Sequence, residues 1–126
     1  MSREIIQTDI APKAIGPYAQ AIKANGFVYT AGQIAITPES GDIVEGGITA
    51  QTCQVFANLA AVLKAAGTSI DQTVKTTVFL RNMSDFAAMN EVYAEYLDNS
   101  TPARSTVAVA DLPRGALVEI DIVALA

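Results

Sequence analysis

The segment that most constrains this fold is the last one. From Ala116 to Leu125, Val118, Ile120, Ile122 and Ala124 fall on one side of an extended chain, and Leu117, Glu119, Asp121 and Val123 on the other. The unbroken apolar side demands a core to cover it. The two carboxylates on the reverse are costly to bury in a second core of the same kind. Such a strand belongs in a sheet packed on one face only. Arg104 to Ala110 reads as a further strand, with Arg104, Thr106, Ala108 and Ala110 sharing a face. Val74 to Arg81 reads as another, with Val74, Thr76, Val78 and Leu80 opposite Lys75, Thr77, Phe79 and Arg81. The short link from Asp111 to Gly115 permits the last two strands to be neighbours without requiring it.

The rest of the chain supplies the cover. Asn25-Gly26 predicts a hairpin between strands Ala19 to Lys23 and Phe27 to Ile34. Ile48 to Ala66 reads as a helix, because Val55, Phe56, Leu59, Val62, Leu63 and Ala66 form one apolar stripe, with Gly67 placed to end it. A second helix is expected over Asp85 to Leu97, with Ser84 as its N-cap and Phe86, Met89, Tyr93, Tyr96 and Leu97 as its stripe. Loops are expected from Ala11 to Tyr18 and from Thr37 to Asp42, both marked by proline and glycine. The order is hairpin, helix, strand, helix, strand, strand. It predicts an α+β fold, one domain over residues 1–126, with both helices on one face of a single sheet. The other face would be bare in a lone chain. With 51% of the residues hydrophobic, this predicts a homo-oligomer.

Charge narrows the partners. The net charge is −5 and the eight basic residues are scattered, so nucleic acid and an anionic membrane surface are both poor partners. Cys53 is the only cysteine and there is no histidine, so no zinc ligand set is present and a metal site would have to be all-oxygen; no acidic cluster has calcium-loop spacing. The N-terminus has no apolar run of signal-peptide length, and no stretch approaches the ~20 apolar residues of a membrane span. A cytoplasmic protein is expected.

Two residues in apolar strands need a reason to be charged. Arg104 presents a planar fork that could grip a carboxylate ligand with two hydrogen bonds; equally, it could form a structural bridge to Glu119 or Asp121. Glu119, if buried, would have a raised pKa and could exchange protons near neutral pH; equally, it could be paired at a subunit contact. Tyr18 lies in a loop, where it could line a site or close one end of the core. Gly32, in Ala31-Gly32-Gln33, could admit a ligand close to the backbone or mark a bulge. Asn90 could be an exposed helix residue or an interface donor. Cys53 has no histidine to activate it and is a poor candidate nucleophile.

Several stretches together resemble the RidA family, also called the YjgF family, of imine deaminases. They are Ala14-Ile15-Gly16-Pro17-Tyr18, Ala31-Gly32-Gln33-Ile34, Val74-Lys75-Thr76-Thr77-Val78-Phe79, Asp85-Phe86 with Asn90, and Pro102-Ala103-Arg104-Ser105 followed by Val118-Glu119-Ile120. The resemblance runs almost end to end. It implies a fold like Bacillus chorismate mutase, related to the ferredoxin-like sandwich. It also implies a homotrimer whose sheets face inward, with three clefts between subunits and last strands that need not pair with each other. The implied reaction is hydrolysis of 2-imino acids, such as 2-iminobutanoate and 2-iminopropanoate, to 2-keto acids and ammonia, without a cofactor. In that scheme Arg104 holds the substrate carboxylate and Glu119 handles water and a proton. The backbone at Gly32 and Thr106 adds hydrogen bonds, Tyr18 and Ala31 line the cleft, and Asn90 and Phe86 support it. Ala31 and Thr106 depart from the serine and cysteine that many family deaminases carry. The resemblance also leaves open a non-catalytic trimer that binds 2-keto acids or other carboxylates. Ribonuclease activity fits poorly with the acidic, histidine-free composition. Chorismate mutase activity is suggested by fold alone.

Overall fold

The computed structural model describes residues 2–126. Its strands are β1 (Arg3–Ile6), β2 (Ala21–Ala24), β3 (Phe27–Thr30), β4 (Thr73–Leu80), β5 (Ala103–Ala108) and β6 (Val118–Leu125), and its α-helices are α1 (Ile48–Ala65) and α2 (Phe86–Leu97). They form a single mixed sheet in the order β1-β2-β3-β6-β4-β5. Only β4 and β5 run parallel, with α2 connecting them. The expected element order holds, with one strand added at the N-terminus.

That strand, β1, pairs antiparallel with β2, Arg3 facing Ala24 and Ile6 facing Ala21. Only Ile6 of its four residues is buried, so it carries no pattern of its own. The hairpin turn has Asn25 at φ 53° and Gly26 at φ 83°, the two left-handed residues of a type I′ turn. The strand after it stops at Thr30, not at Ile34. The chain steps out of the ladder at Ala31 and rejoins it at Gln33, which exchanges two hydrogen bonds with Ile120 at 2.9 and 3.1 Å. At the end of α1, Gly67 at φ 84° donates to the Lys64 carbonyl while Thr68 donates to that of Leu63, the paired bonds of a Schellman cap. Ser84 does not cap α2. It lies inside a 3₁₀ turn, Met83–Asp85, and the helix begins after Asp85 with no side-chain cap bond.

Both helices cover one face of the sheet. Val28, Val78, Leu80, Val118, Ile120, Ile122 and Ala124 meet Val55, Phe56, Leu59, Val62 and Leu63 of α1 and Met89, Val92 and Leu97 of α2, all at most 3% exposed. Each large apolar side chain so buried contributes roughly 1.5–3 kcal/mol. Phe56 stacks on Tyr96 at 4.7 Å and meets Tyr93 edge-on at 5.9 Å, joining the helices. Neither helix covers the reverse face. It carries Lys75, Thr77, Phe79, Glu119 and Asp121, together with Ile5, Tyr29 and Val107, which are 61, 45 and 43% exposed.

The register decides where the Arg104 and Glu119 side chains go. β4 lies between β5 and β6, so the last two strands are not neighbours. Thr76 faces Arg104 on one side and Ile122 on the other, so Arg104 is on the helix face. Phe79 faces Val107 and Glu119, so Glu119 is on the bare face.

Candidate active site in two halves

The first half is built by the edge strand β5 and the helix beside it. Phe86, Asn90 and Tyr93 recur at helical spacing on α2 and so share one side of it. Arg104 lies against that side. Its Nη1 donates to Asn90 Oδ1 at 2.6 Å, and its guanidinium carbon is 4.6 Å from the Tyr93 ring centre and 5.3 Å from that of Phe86. The rings hold the plane of the fork through cation–π contacts while Asn90 fixes its rotation. Tyr93 is itself tied to β4, its hydroxyl 2.8 Å from Thr76 Oγ1. Among the described residues the one ion pair is Arg114 with Asp42, at 3.7 Å, so Arg104 has no acidic partner. Its remaining N–H donors are available to an anion. Thr106 stands two residues along on the same face, its hydroxyl buried without a hydrogen-bond partner.

The second half gathers around Glu119 on the opposite face. Burial, and secondarily the carboxylate of Asp121, push the Glu119 carboxyl above its ordinary value of 4.5. Burial raises Asp121 as well, against the opposing pull of the Thr77 hydroxyl and the Lys75 ammonium. A groove of about 570 Å³ opens beside Glu119, lined in part by Tyr18, Ala31, Gly32, Gln33 and Arg114. Among the described residues Gly32 N–H has no hydrogen-bond partner, although Ala31 N–H on one side and Gln33 N–H on the other are both engaged. Arg114 Nη1 donates to the Gly41 carbonyl at 2.6 Å, joining two loops that wall the groove.

The sequence-predicted residues therefore fall into two sets. Arg104, Asn90, Phe86 and Thr106 come together on the helix face, and Glu119, Tyr18, Ala31 and Gly32 come together on the other side of the sheet. The structural bridge from Arg104 to Glu119 or Asp121 does not form, because β4 separates the strands and the side chains leave opposite faces. Tyr93, expected from the sequence as a core residue alone, also touches Arg104 and so joins this candidate site. Its place three residues after Asn90 and seven after Phe86 is the signal that identifies it. Among the described residues no three His, Cys, Asp or Glu side chains gather as a metal site, and no helix is long and apolar enough to cross a membrane.

A single mixed sheet with two helices on one face defines a small α+β protein, here with an arginine that has no ion pair among the described residues and a carboxyl raised by burial. Comparison with known proteins gives the family. The family model described as endoribonuclease L-PSP matches residues 8–126. A RutC family protein of Pyrococcus horikoshii is 54% identical over 122 residues, which is 97% of each chain. A Mus musculus protein named 2-iminobutanoate/2-iminopropanoate deaminase is 46% identical over 123 residues, 98% of this chain and 91% of its own. The crystal structure of a conserved Rid family protein from Yersinia pestis superposes with a TM-score of 0.96 at 50% identity, covering 99% of this chain and all of that one. The chain belongs to the RidA (YjgF) family, the family its motifs resemble.

Proposed function

We propose that this chain hydrolyses reactive 2-imino acids, 2-iminobutanoate and 2-iminopropanoate among them, to 2-keto acids and ammonia, at clefts that neighbouring copies complete within a cytoplasmic homotrimer. The observation that carries the proposal is the pairing of an anion-ready guanidinium on one sheet face with a raised-pKa carboxyl on the other. A second copy is what can bring them together, and the bare, partly apolar sheet face is the surface it would cover.

In such a cleft Arg104 of one copy grips the substrate carboxylate bidentately, its plane preset by Phe86, Tyr93 and Asn90. Glu119 of the neighbour, ionised, takes a proton from water as the oxygen adds to the imine carbon. It delivers that proton to nitrogen, giving a carbinolamine, then takes the carbinolamine's hydroxyl proton and passes it to the same nitrogen as C=O forms and the C–N bond breaks; ammonia leaves, the 2-keto acid stays behind and Glu119 is again ionised. The N–H groups of Gly32 and Thr106 add donors to the bound acid, and Tyr18 and Ala31 line the groove. No step needs a metal or an organic cofactor. Imines hydrolyse unaided in water, so much of the gain is positioning. The name of the Mus musculus relative supports this reading. The family model's endoribonuclease description suits this chain less well, since its net charge is −5 and it has no histidine.

The test generates 2-iminobutanoate in situ and follows 2-ketobutanoate release above the uncatalysed rate. Arg104→Ala abolishes the acceleration, and Glu119→Ala weakens it strongly. Full activity in Arg104→Ala would refute the carboxylate anchor.

A further inference from the structure

Gly32 is a glycine without a conformational reason to be one, because its φ lies outside the left-handed region. The reason is steric. A Cβ at this position would stand 2.8 Å from Cδ and 3.1 Å from Cγ of Glu119 and would strike its Oε2. The backbone has little room to retreat. Ala31 N–H is held by the Gln20 carbonyl at 2.9 Å, and Gln33 is held by both hydrogen bonds to Ile120, the residue next to Glu119. One rung of the sheet therefore fixes Gly32 and Glu119 against each other.

We propose that Gly32 is a positioning residue: its bare Cα is the seat of the Glu119 carboxyl, and the missing side chain sets where the proton-carrying oxygen stands. This rests on the reading of Glu119 as proton carrier. It is separate from any bond that the Gly32 N–H makes to substrate. The atoms in conflict are the end of a flexible, half-buried side chain, so Gly32→Ala moves the carboxyl into the open groove and leaves the fold intact.

Gly32→Ala is expected to lower kcat about 10- to 100-fold, the scale of a misplaced catalytic group, with KM nearly unchanged because the Arg104 half is untouched. In a Glu119→Ala background the same substitution has no further effect on residual acceleration. Independently of activity, the carboxyl ¹³C titration of Glu119 in Gly32→Ala moves down toward that of an ordinary glutamate, as burial is relieved. An unmoved titration would overturn the seat, and so would an equal loss of activity in the presence and absence of the Glu119 side chain. Wild-type activity in Glu119→Ala alone would instead refute the proton-carrier role. The titration would still decide the seat.

Discussion

The placement of Arg104 and Glu119 on opposite sheet faces, with β4 between them, makes a quantitative prediction about mixed assemblies. If each cleft takes its arginine from one copy and its glutamate from the next, two crippled chains can restore each other. Arg104→Ala and Glu119→Ala are each prepared alone, then co-refolded in equal amounts. In a ring of randomly mixed copies, about one cleft in four has an intact arginine donor facing an intact glutamate donor. Activity per total protein should therefore return to about a quarter of wild type, after subtraction of the uncatalysed rate. The complementary mixture is as informative. Wild type co-refolded with the double variant should also give about a quarter, whereas a site contained in one chain would give about a half. The assay is 2-ketobutanoate release from imine generated in situ, with native mass spectrometry confirming that subunits have exchanged. Light scattering should report about three times the 13.2 kDa chain mass, the closed ring that a heterologous interface produces. Exchanged assemblies that stay at the uncatalysed floor, or a monomer at micromolar concentration, would refute the shared cleft.

Arg104→Lys keeps the charge but loses the fork and the flat stack between Phe86 and Tyr93. Losing one charge-assisted hydrogen bond, roughly 1.5–3 kcal/mol, should lower kcat/KM about 10- to 150-fold, and near-wild-type kinetics would show that a point charge suffices. Glu119 acts first in its ionised form, and its pKa is raised, so activity should fall on acidification at a higher pH than for an ordinary glutamate. That limb should be absent from the residual activity of Glu119→Gln. The same shift has a stability sign. The folded state binds this proton more tightly than the unfolded chain does, so the Glu119 charge costs stability above its folded pKa. The cost is relieved as pH falls through that value and is gone below 4.5. Glu119→Gln should therefore raise the urea midpoint at neutral pH, by an amount that shrinks on acidification. An unchanged midpoint would argue against the burial.

What the sequence disclosed about this fold follows from how local each signal is. The stripe of α1, the Asn25-Gly26 turn and the alternation of β4 and β6 are short-range patterns, and each appears in the structure near its expected limits, except that a bulge between Thr73 and Lys75 leaves Val74 exposed instead of in the buried row of Thr76, Val78 and Leu80. β1 was invisible because a four-residue edge strand with one buried side chain leaves no periodicity to read. Ser84 failed as a cap because the preceding tight turn, a product of how β4 hands over to α2, places it one residue too early. The site shows the same boundary more sharply. Alternation assigns Arg104 and Glu119 each to a face of its own strand, but says nothing of which faces coincide across strands. That is fixed by the insertion of β4 between β5 and β6, a pairing made by residues well apart in sequence. Tyr93 shows why core and site are hard to separate by pattern: one side chain packs against Phe56, bonds Thr76 and carries Arg104 on its ring. The register that hides the candidate site from a single sequence also keeps the proposed anchor apart from the two carboxylates of β6. Among the described residues Arg104 has no acidic partner, Glu119 and Asp121 being held on the far side of the sheet, and in the proposed cleft a cation so placed is free to meet an anion brought to it by substrate.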